Sequence, residues 1–128
     1  MSLGTAIGVL RDVTQSAAAL RREGFAACAS PFLQVEDVGL SEAETAELIQ
    51  RHRWLGRTRR LPWSNCLTRS LALCRWARRR GFAPQLVIGT DRQDGDFMAH
   101  AWVQVAGREF GRNGYEAMRH GRPTRAES

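Results

Sequence analysis

Two residues of this 128-residue chain have types and surroundings that could support nucleophilic catalysis: Cys66, which heads the stretch "CLTRSLAL", and His100, within "FMAHAWVQV". The thiolate is the reactive form of cysteine, and the open amides and partial positive charge at a helix N-terminus favour it over the thiol. A histidine within hydrogen-bond reach would complete the activation by taking the thiol proton. The same spacing also has a plainer meaning, because Cys66, Ser70, Leu73, Cys74 and Ala77 recur at three- and four-residue intervals and would form one apolar helix face. Spacing alone leaves both readings open. His52 ends a predicted surface helix among arginines and His120 precedes Gly121-Arg122-Pro123, so both are poor candidates, and Cys28 and Cys74 read as structural.

The helix that would carry Cys66 begins near Ser64 or Asn65, either of which can cap it, and runs to about Arg80 with Gly81 as its stop. After it, "PQLVIG" at 84–89 suits a strand covered on both faces. A turn-rich "TDRQDGD" then leads to residues 97–105, where Phe97, Ala99, Ala101, Val103 and Val105 alternate with Met98, His100, Trp102 and Gln104. An antiparallel hairpin is predicted, with a tight turn at Ala106-Gly107 into a third short strand near Arg108 to Phe110, then a loop with room for one helical turn and a frayed tail. Upstream, Ile7, Val9, Leu10, Val13, Ala17 and Leu20 predict a first helix ended by Gly24. Ser41 with Glu44 forms a capping-box signature for a second helix from about Glu42 to His52, and "RWLGRTRRLP" connects it to the Cys66 helix. Trp54, Trp63, Trp76 and Trp102 read as core or groove-lining aromatics. The order of Cys-bearing helix, strand and His-bearing strand is that of thiol enzymes with a papain-like core.

Composition is that of an ordinary globular protein, 43% apolar and 25% charged, and the length fits one domain. Charge is uneven: residues 1–50 hold three Arg against seven acids, whereas residues 51–80 hold ten Arg and no acid. Such a basic block suits an acidic peptide, an acidic protein face or nucleic acid, or is simply a solvated helix face. A non-catalytic basic binding module is therefore a rival reading, although no nucleic-acid-binding motif accompanies the charge. Three cysteines supply neither a disulfide framework nor metal-ligand spacing, and Cys66 and Cys74 on one helix would lie about 12 Å apart. Free thiols, a reducing cytoplasmic setting and no cofactor are expected. Arg11 and Asp12 interrupt the apolar N-terminus before a signal-peptide core completes, and no membrane span is expected.

The wording "CLTRSLAL", followed by "RWARRRGFAPQLVIGTDRQDGDFMAHAWVQVAGREF", closely resembles the leader peptidases of lasso-peptide biosynthesis, the peptidase half of the maturation B protein. The likeness covers about residues 60–110. It implies an α+β transglutaminase-like fold in which N-terminal helices (1–55) and a nucleophile-bearing helix pack on a small antiparallel sheet, residues 60–115 forming the catalytic core of a single domain, 1–128. It further implies a cysteine peptidase that removes the leader from a ribosomally made precursor, with Cys66 as nucleophile and His100 as general base. The freed core would pass to a macrolactam-forming cyclase. Such peptidases often act with a separate small leader-binding protein, the RiPP recognition element, and the split arrangement is expected here. Related transglutaminase-like proteins transfer the acyl group to an amine instead. In the family an Asp about a dozen residues after the histidine orients the imidazole; Arg112 stands there in this chain, leaving Asn113 or Glu109 for the role.

Overall fold

The protein is described by a computed structural model covering residues 3–36, 38–93, 96–111, 116–119 and 122–124, with only the backbone described at 90–93, 96–99, 116–119 and 122–124. Three α-helices, α1 (Leu3–Ala29), α2 (Glu42–Gly56) and α3 (Cys66–Arg79), precede five strands, β1 (Gln85–Gln93), β2 (Asp96–Val105), β3 (Arg108–Phe110), β4 (Glu116–Arg119) and β5 (Arg122–Thr124). Single 3₁₀ turns follow α1 at Ser30–Phe32 and α2 at Arg57–Arg60. The fold class is α+β, as expected. No helix among the described residues is long and apolar enough to cross a membrane.

Local signals set most helix ends. Ser41 accepts from the Glu44 amide while the Glu44 side chain accepts from the Ser41 amide, so the capping box starts α2 where predicted. At α3 the choice between two caps falls to Asn65, whose side chain accepts from the Thr68 amide at 2.8 Å. Its far end closes with Phe82 N–H on the Ala77 carbonyl and Gly81 N–H on the Arg78 carbonyl, the paired bonds of a Schellman stop. The first helical run ends at Gly24 as expected: at φ 84° and ψ 167° its backbone is non-helical and kinks α1, and a second run, not expected, resumes through the helix-favouring Ala26 and Ala27 to Ala29. The buried stripe on α1 also differs, since Val9, Asp12, Val13, Ser16 and Ala17 face inward while Ile7 and Leu10 are exposed. Asp12 explains the rotation, because its buried carboxylate accepts from Arg51 of α2 and Arg79 of α3 and so ties three helices together.

The sheet order is β3-β2-β1-β4-β5, antiparallel at every step. Two expectations fail here. The "TDRQ" part of the turn-rich segment extends β1 to Gln93, its four residues paired opposite Ala99 back to Asp96 of β2, because a long hairpin satisfies backbone groups that a loop would leave to water. Residues 116–119 and 122–124, read as loop and tail, pair as β4 and β5 and cover the other edge of β1. Both faces of β1 are covered as expected: Leu86 is buried and Ile88 packs half-buried on the core, while on the other face Gly89 is buried and Val87 is half-buried opposite the fully buried Trp102 of β2. Ala101, Val103 and Val105 of β2 enter a common core with Leu71, Leu73, Cys74 and Ala77 of α3, Leu48 and Leu55 of α2 and Val9 and Val13 of α1. That core is what holds the Cys66 helix against the His100 strand.

Candidate active site

Cys66 is the first residue of α3 and is half-buried. One turn on, the buried Ser70 hydroxyl donates to the Ala101 carbonyl at 3.1 Å. Ala101 is the neighbour of His100, so a buried hydrogen bond sets the Cys66 helix and the His100 strand in register with each other. Cys66 and His100 line one cavity of about 230 Å³, whose floor includes Leu73, Val103 and Phe110. Bringing these two side chains to one cavity is what the hairpin-on-helix layout predicted.

The His100 ring is held from the far side. Its Nε2 lies 2.6 Å from the carbonyl oxygen of Gly111, the residue just past β3. A carbonyl only accepts, so Nε2 carries the proton, and in the neutral ring Nδ1 is then the basic nitrogen. This is the role usually given to a side-chain carboxylate or amide in a Cys-His pair. Of the two expected side chains, Glu109 accepts from the Trp102 indole N–H at 2.9 Å, and Asn113, like Arg112, lies outside the described residues. The Trp102 ring, fully buried, stacks against the His100 ring with centroids 6.1 Å apart, adding a second restraint on the imidazole plane.

His52 was set aside as the end of a surface helix; the structure corrects this. Helix α2 continues to Gly56, so His52 lies inside it, half-buried, edge-on to Phe110 at 5.7 Å and lining the Cys66 cavity. Burial, and then the nearby Arg69 charge, hold its pKa below the ordinary histidine value. Arg69, outside the helix face formed by Cys66, Ser70 and Leu73, also lines the cavity, and its Nη1 donates to the carbonyl and hydroxyl of Ser64. Burial lowers the Arg69 pKa, a Cys66 thiolate raises it and the Arg59 charge lowers it again, which places guanidinium and thiol within electrostatic reach. A chain of hydroxyls supports this corner. Thr58 donates to the Leu55 carbonyl at 2.7 Å, so across the 2.9 Å contact Ser64 is the donor to Thr58 and can accept from Arg69.

Burial pushes the Cys74 thiol far up, and burial with the Glu23 charge raises that of Cys28. Among the described residues, no three His, Cys, Asp or Glu side chains gather as metal ligands.

Residues 12–121 match the family described as the transglutaminase-like superfamily, a span that takes in all three helices but the start of α1, and both Cys66 and His100. The chain belongs to the transglutaminase-like superfamily. No curated protein and no solved structure matches it at a significant level. Transglutaminase-like proteins are typically cysteine-based enzymes, of peptidase or acyltransferase type.

Proposed function

We propose that this transglutaminase-like protein is a cysteine peptidase that removes the leader from a ribosomally made lasso-peptide precursor, working with a separate leader-binding protein. The observation that carries the reading is the shared cavity of Cys66, at the first turn of α3, and His100, fixed through Nε2 on the Gly111 carbonyl. The likeness of "CLTRSLAL" and "AHAWV" to lasso leader peptidases supplies the substrate class.

In this mechanism His100 takes the Cys66 proton on Nδ1, and the thiolate attacks the carbonyl carbon of the leader–core amide. Asn65 already occupies the Thr68 and Arg69 amides, so the Cys66 and Leu67 amides are the first-turn donors left to receive the oxyanion. Collapse breaks the C–N bond, the core peptide's amine leaves with the proton from His100, and a thioester joins the leader to Cys66. Water, deprotonated by His100, then releases the leader as a carboxylate and restores the thiol. Transfer of the same thioester to an amine is the second reading, favoured by the acyltransferase chemistry found in the superfamily. Mass spectrometry of precursor incubated with protein and leader-binding partner separates the two. Hydrolysis gives two fragments whose masses sum to precursor plus water, and Cys66→Ala gives neither. Full cleavage by Cys66→Ala would sink the proposal.

A further inference from the structure

The cavity beside Cys66 is electropositive in an unusual way. Besides His100, three cationic or basic side chains, Arg59, Arg69 and His52, line it, and no described lining residue is acidic. Half of the ten arginines of the basic block have a carboxylate or a ring as partner: Arg51 and Arg79 bind Asp12, Arg80 binds Glu47, and Arg57 and Arg78 lie over the rings of Trp54 and Phe32. Arg59 and Arg69 take part in none of these ion pairs or ring contacts among the described residues. Arg69 is partly buried, and the bonds that hold it, to the Ser64 carbonyl and hydroxyl, are to neutral acceptors and engage only Nη1. Two guanidiniums brought together without a carboxylate repel each other, and a partly desolvated one gains most from an anion that restores the missing charge.

We infer that the Arg59 and Arg69 wall of this cavity is a carboxylate subsite, so that the peptide processed at Cys66 carries an Asp or Glu side chain close to the scissile amide. The inference rests on Cys66 being the nucleophile and adds the chemistry of the group that is seated beside it. A cavity of about 230 Å³ is smaller than the ~300–1,000 Å³ of drug-sized ligand sites, and suits one or two side chains of an extended peptide. Guanidinium N–H groups match a carboxylate in pairs, which distinguishes Asp and Glu from Asn and Gln at the same position.

The test compares iodoacetate with iodoacetamide, which differ in a carboxylate against an amide and alkylate the same sulfur with loss of iodide. Rates at Cys66 are read by peptide mapping of the intact protein. Wild type is expected to react faster with iodoacetate and to saturate with it, and the iodoacetate-to-iodoacetamide ratio should fall about tenfold in Arg69→Gln and in Arg59→Gln. It should be unchanged in Arg53→Gln, a residue outside the cavity. Using the ratio cancels any change in thiolate population, which affects both reagents alike. Arg59→Gln alters an exposed side chain and serves if Arg69→Gln fails to fold. N-acetylglutamate N-methylamide should protect Cys66, and N-acetylglutamine N-methylamide should not. A ratio unmoved by both substitutions, or protection only by the terminal carboxylate of N-acetylglycine, overturns the inference while leaving Cys66 reactive. Inertness of Cys66 to both reagents removes the nucleophile reading and this inference with it.

Discussion

Replacing Gly111 with alanine perturbs the site through the backbone alone. Gly111 sits at φ +88°, a left-handed conformation that costs an L-residue about 1–2 kcal/mol. An added Cβ would also stand 3.3 Å from His52 Nε2 and 3.8 Å from Trp102 Cβ, the first closer than ordinary packing, so either His52 or the Gly111 backbone must shift. Its carbonyl is the acceptor for His100 Nε2, so a shift there loosens the imidazole. Gly107 provides the matched control: φ is +80° and an added Cβ meets nothing within 4 Å. Both Gly107→Ala and Gly111→Ala should therefore lose about 1–2 kcal/mol in urea unfolding, Gly111→Ala somewhat more. Only Gly111→Ala should slow precursor cleavage, by about tenfold for one orienting hydrogen bond, and weaken the Nε2–H tautomer of His100 in nitrogen-15 spectra. If Gly111→Ala matches Gly107→Ala in cleavage rate and in His100 tautomer, the carbonyl does not orient the histidine.

Ser70→Ala removes the bond that sets α3 against β2 and should destabilise by about 1–2 kcal/mol in denaturant titration, with a drop in cleavage that Cys66 alkylation by a neutral reagent does not share. Ala106, at φ 51° in the turn before β3, is strained where asparagine is not, so Ala106→Asn should raise stability by about 0.5–1 kcal/mol, read as a higher urea midpoint. His52, whose folded pKa lies below its unfolded value near 6.5, binds fewer protons folded than unfolded as pH falls through that value. Stability should accordingly decline from pH 7.5 to 5.5, and His52→Gln should flatten that slope in paired unfolding curves.

What could be read in the sequence was local. The Ser41 and Glu44 capping box, the Asn65 cap, the Gly81 stop and the alternation from Ala101 to Val105 each act over a few residues, and each is where expected. Gly24 breaks the helix where expected, but the helical stretch that resumes beyond it to Ala29 was not legible from that local signal. Strands β4 and β5 were missed because short polar segments become strands only when a partner edge is present. That Cys66 and His100 share one cavity was legible from type, element order and family wording. His52, Arg69 and the Gly111 carbonyl were not: the first two join the cavity through the packing of helix ends, and a backbone acceptor leaves no mark in residue identity. The hint for Arg69 was its place one turn after the Asn65 cap, on the same turn as Cys66.

Cleavage rates of Cys66→Ala, His100→Ala and the double variant, measured on the precursor with its leader-binding partner, test the central claim that the two residues act as one unit. Groups acting together lose most of their effect with the first removal. Each single variant should lose nearly all activity and the double variant should be no slower than the weaker single one. Independent, multiplying losses, or near wild-type cleavage by either single variant, would contradict the account.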